Sequence, residues 1–274
     1  MSQINPLQKF FRQPKVFISL PSKGLYYEPG ALQGDYNNMP IFAMSGMDEI
    51  IMKTPDALFT GEASVKVIES CCPYIKNAKS MPSIDIDAVL IAIRIATFGE
   101  KMSISKSCTK CGTDNEYDIE LNQFLDYFNS LKFTNAVQIF DNLVIRIRPL
   151  QYEEMSYFSI ENFKLQKTLI QINDVPDQER QKKVDEIYAN LSELQLQLFL
   201  TVIENVQVDG VLVTEKVHIE EWLRNTDRDS YKLIKEKLEE NKNVWEMPPQ
   251  KVHCASCGTE NNVTVTMDQS SFFA

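Results

Sequence analysis

Four of the six cysteines fall in two copies of one short stretch, and thiols at this spacing are either metal ligands or redox pairs. The first copy reads Ser107-Cys108-Thr109-Lys110-Cys111-Gly112-Thr113 and the second His253-Cys254-Ala255-Ser256-Cys257-Gly258-Thr259. The correspondence runs on: Asn115 aligns with Asn261, and the alternating Tyr117, Ile119, Leu121 align with Val263, Val265, Met267. Each copy is a C-x-x-C-G turn leading into a short amphipathic strand. The two-residue gap lets both sulfurs of a pair face one ion, and the Gly allows a tight turn whose amides face the sulfurs. Together Cys108, Cys111, Cys254 and Cys257 supply the tetrahedral sulfur set that Zn²⁺ takes at ~2.3 Å per bond. A lone C-x-x-C is a weak pattern, because redox dithiols share it. Two copies with the same Gly-Thr and the same strand favour a split zinc ribbon over a thioredoxin-like dithiol or unrelated buried cysteines. The redox reading also lacks its usual frame, a buried strand before and a helix after, since both segments run into strands.

With sulfur at every vertex, no position is left for water or substrate. Structural zinc is therefore expected, and metal-assisted hydrolysis is disfavoured. Roughly 140 residues lie between the knuckles. The intervening chain is a domain-sized insertion whose two ends the metal would clamp.

The elements that must position these cysteines give an α+β reading. It is a mainly helical body with short hairpins, its two halves closed by the split four-cysteine zinc ribbon. The expected divisions are an N-terminal arm (1–15), a mixed helix and strand domain (16–100), and the first ribbon half (101–122). A helical insertion with hairpins (123–246) and the second ribbon half with the C-terminal tail (247–274) follow.

In the arm, Phe10 and Phe11 are expected to dock on the protein itself, with docking on a partner the alternative. Val16 to Leu20 and Pro40 to Met44 read as extended pieces around the Pro21–Gly24 turn. Thr54-Pro55-Asp56-Ala57 has the parts of a helix start, with Gly61 as a break. Ala63, Val67, Ile68 and Cys71 then share a helical face that ends at Pro73. The adjacency of Cys71 and Cys72 argues against both pointing at one metal, and they read as buried packing residues, with a redox role the remote alternative. A helix from Pro82 to Gly99 is apolar nearly all round, so it is buried on most sides, and its Arg94 is expected to find a carboxylate.

Strands from Lys101 to Ser107 and from Tyr117 to Leu121 flank the first knuckle. A short helix carries Phe124, Leu125 and Phe128, and a hairpin turns at Asp141-Asn142. Two long helices follow, with Met155, Phe158, Leu165, Leu169 and Ile172 along one. Val184, Ile187, Leu191, Leu194 and Leu198 lie along the other. The short Asn173–Asp177 connection predicts an antiparallel helical hairpin, packed on itself or left partly open for another subunit. Asp209-Gly210 between alternating residues is a strong hairpin pattern. Trp222 and Leu223 pack a further helix, and Thr226 is expected to cap the next. The charged run from Lys232 to Lys242 reads as a solvated face. Pro248-Pro249 precedes the second knuckle, and Phe272 and Phe273 are expected to be buried.

The chain has 274 residues, 43 % hydrophobic and 24 % charged, with a net charge of −10. It is long enough for a sizeable core, and its acidity opposes binding to phosphate backbones. Cysteines explained by metal, without a signal-peptide pattern, suggest a reducing compartment. The longest apolar run, Ile84 to Phe98, is too short to span a bilayer and contains Asp85, Asp87 and Arg94. Phosphate loops, dinucleotide fingerprints and nucleophile elbows are absent from the sequence. His253 abuts a metal cysteine but reads as pointing aside, and His218 has no nucleophile near it in sequence. No catalysis is expected.

Several stretches taken together resemble a known family. They are Leu20–Tyr27, Met44–Glu49, Lys53–Leu58, Gly61–Ala63, Ile68–Pro73, Asp85–Ala88 and Ile91–Gly99. They are similar to the baseplate hub proteins of contractile-tailed bacteriophages of the T-even type. The likeness covers most of the N-terminal half, continues into the first knuckle, and is looser beyond it. One departure is that neither knuckle has the Pro common after the first Cys of zinc knuckles. The resemblance implies a hub subunit or a hub assembly factor, located in the virion tail baseplate or in the host cytoplasm during assembly. Its partners would be other hub and tail proteins, with self-association a further possibility. A zinc-ribbon nucleic-acid adaptor, supported only by Lys101, Lys106 and Lys110, and a thiol oxidoreductase are the alternatives.

Overall fold

The structure, a computed structural model, describes residues 5–54, 61–171, 177–266 and 272–273. The chain divides into two units, Met1–Leu131 with Glu246–Ala274, and Lys132–Trp245. The expected helix start at Pro55, Asp56 and Ala57 lies outside the described residues, as do Met267, Ile172 and the 173–176 connection.

The first unit begins with a 3-10 turn, Pro6–Phe10, and two antiparallel strands, β1 (Pro14–Ile18) and β2 (Met39–Phe42). Leu7, Phe10 and Phe11 are 61, 74 and 57 % exposed, so the arm's aromatics do not dock on the body as expected. What ties the arm down is Arg12. Its guanidinium donates to Ala43 O at 2.6 Å, Ser70 O at 2.7 Å and Asp48 Oδ2 at 3.2 Å. Asp48 belongs to α1 (Gly46–Met52) and completes a capping box with Ser45. Burial opposes ionisation of Asp48, but hydrogen bonds from Ser45 and Ser70 and the Arg12 charge hold its carboxyl below the usual range. Gly61, at φ 78°, is the N-cap of α2 (Glu62–Cys71), and the segment it was expected to break lies outside the described residues. Cys71 and Cys72 are fully buried, and burial pushes both thiols up to about 12.

The centre of this unit is α3 (Ser83–Phe98), which packs on β1, β2, α2 and α4 (Asn122–Ser130). Its residues from Ala88 to Ala96 are all buried, so apolar character on every side is required. Each fully buried Ile or Leu there contributes about 1.5–3 kcal/mol. Buried Asp85 accepts from Ser22 N at 2.7 Å, Ser22 Oγ at 2.5 Å and Tyr27 Oη at 2.9 Å. This fixes the loop after β1, where Lys23 and Tyr26 hold positive φ of 57° and 69°. Among the described residues Arg94 has no carboxylate partner of the kind expected of it. Its Nε and Nη1 have no hydrogen-bond partner among the described residues, and the guanidinium lies over the Phe98 and Phe272 rings instead. Beyond Gly99, β3 (Lys101–Ser107) and β4 (Asp114–Glu120) form a hairpin.

The second unit is a four-stranded antiparallel sheet with helices. Its elements are β5 (Ala136–Phe140), β6 (Leu143–Ile147), α5 (Tyr152–Gln171), α6 (Asp177–Val202), β7 (Ile203–Val208), β8 (Val211–Val213), α7 (Lys216–Asn225) and α8 (Arg228–Val244). The strands lie in sequence order. Val137, Ile145 and Val206 pair across them and are buried with Phe199, Ile219, Leu223 and Ile234. Asp209 and Gly210, at φ 49° and 82°, make the tight β7–β8 turn.

Helices α5 and α6 pack together, but among the described residues of the expected seam only Ile187 is fully buried. Met155, Phe158, Leu165, Leu169, Val184, Leu191, Leu194 and Leu198 are half-buried. The deep contacts of α6 come from Leu196, Phe199 and Val202, near the sheet. The cap of α8 is Asp227, not Thr226. The Asp227 carboxylate accepts from the Asp229 and Ser230 amides, both at 2.9 Å.

The chain then returns to the first unit with the hairpin of β9 (Gln250–His253) and β10 (Glu260–Val263). Phe272 and Phe273 are buried there, ring edge to ring face at 5.1 Å. Among the described residues, no helix is long and apolar enough to cross a membrane.

Candidate metal centre

Two hairpins carry the cysteines at their tips, β3–β4 and β9–β10. Pairing closes at Ser107 opposite Asp114 in one and at His253 opposite Glu260 in the other. Between those pairs the chain makes the same knuckle twice. Cys108 N donates to Thr113 O at 2.9 Å, and Gly112 N to Cys108 O at 3.0 Å. The second copy repeats both bonds, Cys254 N to Thr259 O and Gly258 N to Cys254 O, each at 2.9 Å. Gly112 and Gly258 sit at φ 73° and 69°, a left-handed turn that a side chain would strain.

The fold brings all four thiols together: Cys108, Cys111, Cys254 and Cys257 present sulfurs within 4.8 Å of one another. Cys108 and Cys254 are buried, while Cys111 and Cys257 are exposed. Two approaches cross between the halves, Cys108 to Cys257 and Cys111 to Cys254, both at 3.7 Å. A regular tetrahedron of sulfurs ~2.3 Å from a central ion has edges of ~3.8 Å. The donor set and its spacing therefore fit a tetrahedral, thiolate-preferring ion.

The surroundings favour thiolate in one cysteine of each knuckle. Amides of Cys111 and Lys110 lower the Cys108 thiol, the Lys110 N–H lying 3.4 Å from its sulfur, and the Cys257 and Ser256 amides lower Cys254. For Cys111, Thr113 favours the thiolate, but the Cys257 and Cys254 sulfurs and desolvation outweigh it and raise the thiol. The Tyr117 hydroxyl is buried without a hydrogen-bond partner among the described residues, and burial and the four sulfurs hold its proton on, raising its pKa above that of a free tyrosine.

The repeat aligned Asn115 with Asn261 without giving either a task. In the structure both are buried and each reaches across to the other hairpin. Asn115 Oδ1 accepts from Ala255 N at 2.9 Å, and its Nδ2 lies 3.5 Å from Cys254 Sγ and 2.8 Å from Thr113 O. Asn261 does the same in reverse, with Thr109 N at 3.0 Å, Cys108 Sγ at 3.6 Å and Thr259 O at 3.0 Å. The signal for them was their matched position after each knuckle. Lys106 adds a further link between the hairpins, its Nζ 2.5 Å from Asn262 O. His253 is exposed and outside the sulfur cluster, and His218 is exposed in the second unit.

A family model described as T4 bacteriophage base plate protein matches residues 41–274. No curated protein and no solved structure matches the chain significantly.

Proposed function

The chain belongs to the T4 bacteriophage base plate protein family, and from that premise we propose that it builds or assembles the hub of the tail baseplate by protein–protein contact. The family match over residues 41–274 carries this reading. In it the protein is not an enzyme, and it acts in the virion tail or in the host cytoplasm during assembly, beside other hub and tail proteins.

The same reading includes a structural zinc ion held by Cys108, Cys111, Cys254 and Cys257. Bound there, the ion would join the two hairpins through four thiolates and leave no vertex for substrate. The support is the crossed 3.7 Å sulfur spacing between the halves. The nucleic-acid alternative is weakened, because Lys101 pairs with Glu120 at 3.2 Å and Lys106 is spent on Asn262. The redox alternative requires a titratable low-pKa thiol in the absence of metal.

Co-expression with the other hub proteins tests the role. Co-purification with one or more of them is expected, and a monomer indifferent to all of them refutes it. Mass spectrometry of purified tails then separates a hub subunit from a transient assembly factor. Metal analysis of the isolated protein tests the ion.

A further inference from the structure

We infer that Asn115 and Asn261 are positioning residues that lock the two knuckles into ligating geometry before any metal arrives, and that they also tune the sulfurs. This rests on the metal reading of the four cysteines. The carboxamide suits the task because it carries two donors and an acceptor on one rigid plane. In each Asn the carbonyl oxygen accepts an amide from the opposite knuckle, Ala255 N at 2.9 Å or Thr109 N at 3.0 Å. One side of the same amide holds its own knuckle through Thr113 O or Thr259 O. The Nδ2 group also faces a buried sulfur of the opposite knuckle, Cys254 or Cys108. Each side chain therefore bridges both knuckles and stabilises negative charge on a sulfur.

Geometry makes the pair reciprocal. The residues stand on β4 and β10 at equivalent positions, and each serves the cysteine that its own hairpin does not contain. Both are buried, so solvent does not compete for these bonds. None of these bonds requires the ion. Bonds that hold the knuckles together without the ion would leave little of a metal's binding energy to be spent on bringing remote segments together.

The test uses the full chain and two substitutions at each position. Asn→Ala removes both functions. Asn→Asp keeps the acceptor for the opposite amide but replaces the donor to sulfur with a negative charge. Affinity is read by titration with cobalt(II) alone, against a chelator of known affinity, with the thiolate-to-cobalt band as the spectroscopic signature. Amide hydrogen exchange at Thr109 and Ala255 is read separately in the metal-free protein. The expected results are about 10–100-fold weaker cobalt binding in both substitutions. Protection of Thr109 and Ala255 should persist in wild type and Asp variants and disappear in Ala variants. Unprotected amides in metal-free wild type, or unchanged cobalt affinity in the Asp variants, overturn the inference. If wild type binds no metal while these amides stay protected, the metal reading fails and the tuning with it, but the locking of the knuckles stands.

Discussion

The Arg94 guanidinium lies 5.5 Å from the centroid of the Phe272 ring, so the far end of the chain is buried against the central helix of the first unit. Phe98 covers the same cation at 5.2 Å. Arg94 is only 7 % exposed and, among the described residues, has no ion pair. Burial lowers its ionisation, and two aromatic faces offset part of the lost hydration. Phe272→Ala is expected to destabilise the first unit by about 3–5 kcal/mol. Arg94→Met keeps the volume and removes the charge, so it is expected to be neutral or to stabilise by about 1–4 kcal/mol. Thermal unfolding of both variants decides: an Arg94→Met loss as large as that of Phe272→Ala means the cation has a partner the rings do not provide.

Asp85 gives a pH dependence of unusual sign. Burial raises its carboxyl to about 6, against the pull of Ser22, Tyr27 and Lys23. An acid with a raised folded value holds its proton more tightly in the native state than in the unfolded chain. Its contribution is full below the unfolded value of 3.8 and is lost as pH climbs through about 6. Asn does not titrate, so the stability of wild type relative to Asp85→Asn isolates this group. That difference is expected to fall by on the order of 3 kcal/mol between about pH 4 and pH 7. A difference that grows with pH would mean that the three hydrogen bonds outweigh desolvation.

The parts of this fold that could be read from sequence are those fixed by near neighbours. The knuckles were legible because Cys-x-x-Cys-Gly is a local geometry written twice. The buried helix was legible because Ala88 to Ala96 has no polar face except Arg94. Asp209-Gly210 announced its turn through the positive φ that both residues adopt. What was not legible depends on partners remote in sequence. Asn115 and Asn261 act on residues of the opposite hairpin, and the aromatic partner of Arg94 includes Phe272. The stripes on α5 and α6 gave the contacting faces but not their depth. The helix end next to the sheet buries Leu196, Phe199 and Val202, while Leu191 stays half-buried and Ile187 is buried further along the helix. Phe10 and Phe11 remain mostly exposed.

Thr226 and Asp227 are adjacent and each carries a capping oxygen, so composition alone could not choose between them. The structure gives the task to Asp227, which also accepts from Ser230 Oγ at 2.8 Å. Asp227→Ala is expected to lower the unfolding temperature of the second unit by a few degrees, and Thr226→Ala to leave it nearly unchanged. Bonds from the Ser230 and Asp229 amides hold the Asp227 carboxyl below the ordinary 3.8. Its contribution is therefore present above that value and lost as pH falls through the lower folded one. Thermal scans of the variants at neutral and acid pH check both statements; equal effects at positions 226 and 227 refute the assignment.

Metal removal should act on one unit and spare the other. The β9–β10 hairpin has strands of four residues each, and an isolated two-stranded hairpin is marginal in water. Its attachment to the first unit includes the knuckle pair, so an ion bridging Cys108, Cys111, Cys254 and Cys257 would stabilise that unit directly. The second unit has its own core around Ile145, Phe199 and Val206. Chelation, or Ser at any one of the four cysteines, is expected to lower the unfolding temperature of the first unit. Zinc content should fall from about one ion per chain. Amide protection of Ile145 and Val206 should stay as it was. Because each sulfur is one vertex of the same tetrahedron, buried Cys108 and exposed Cys111 should give similar losses of metal, although burial alone would rank them apart. Differential calorimetry with hydrogen exchange, run before and after chelation, measures both units at once. Unchanged unfolding of the first unit after complete chelation would remove the structural role of the ion.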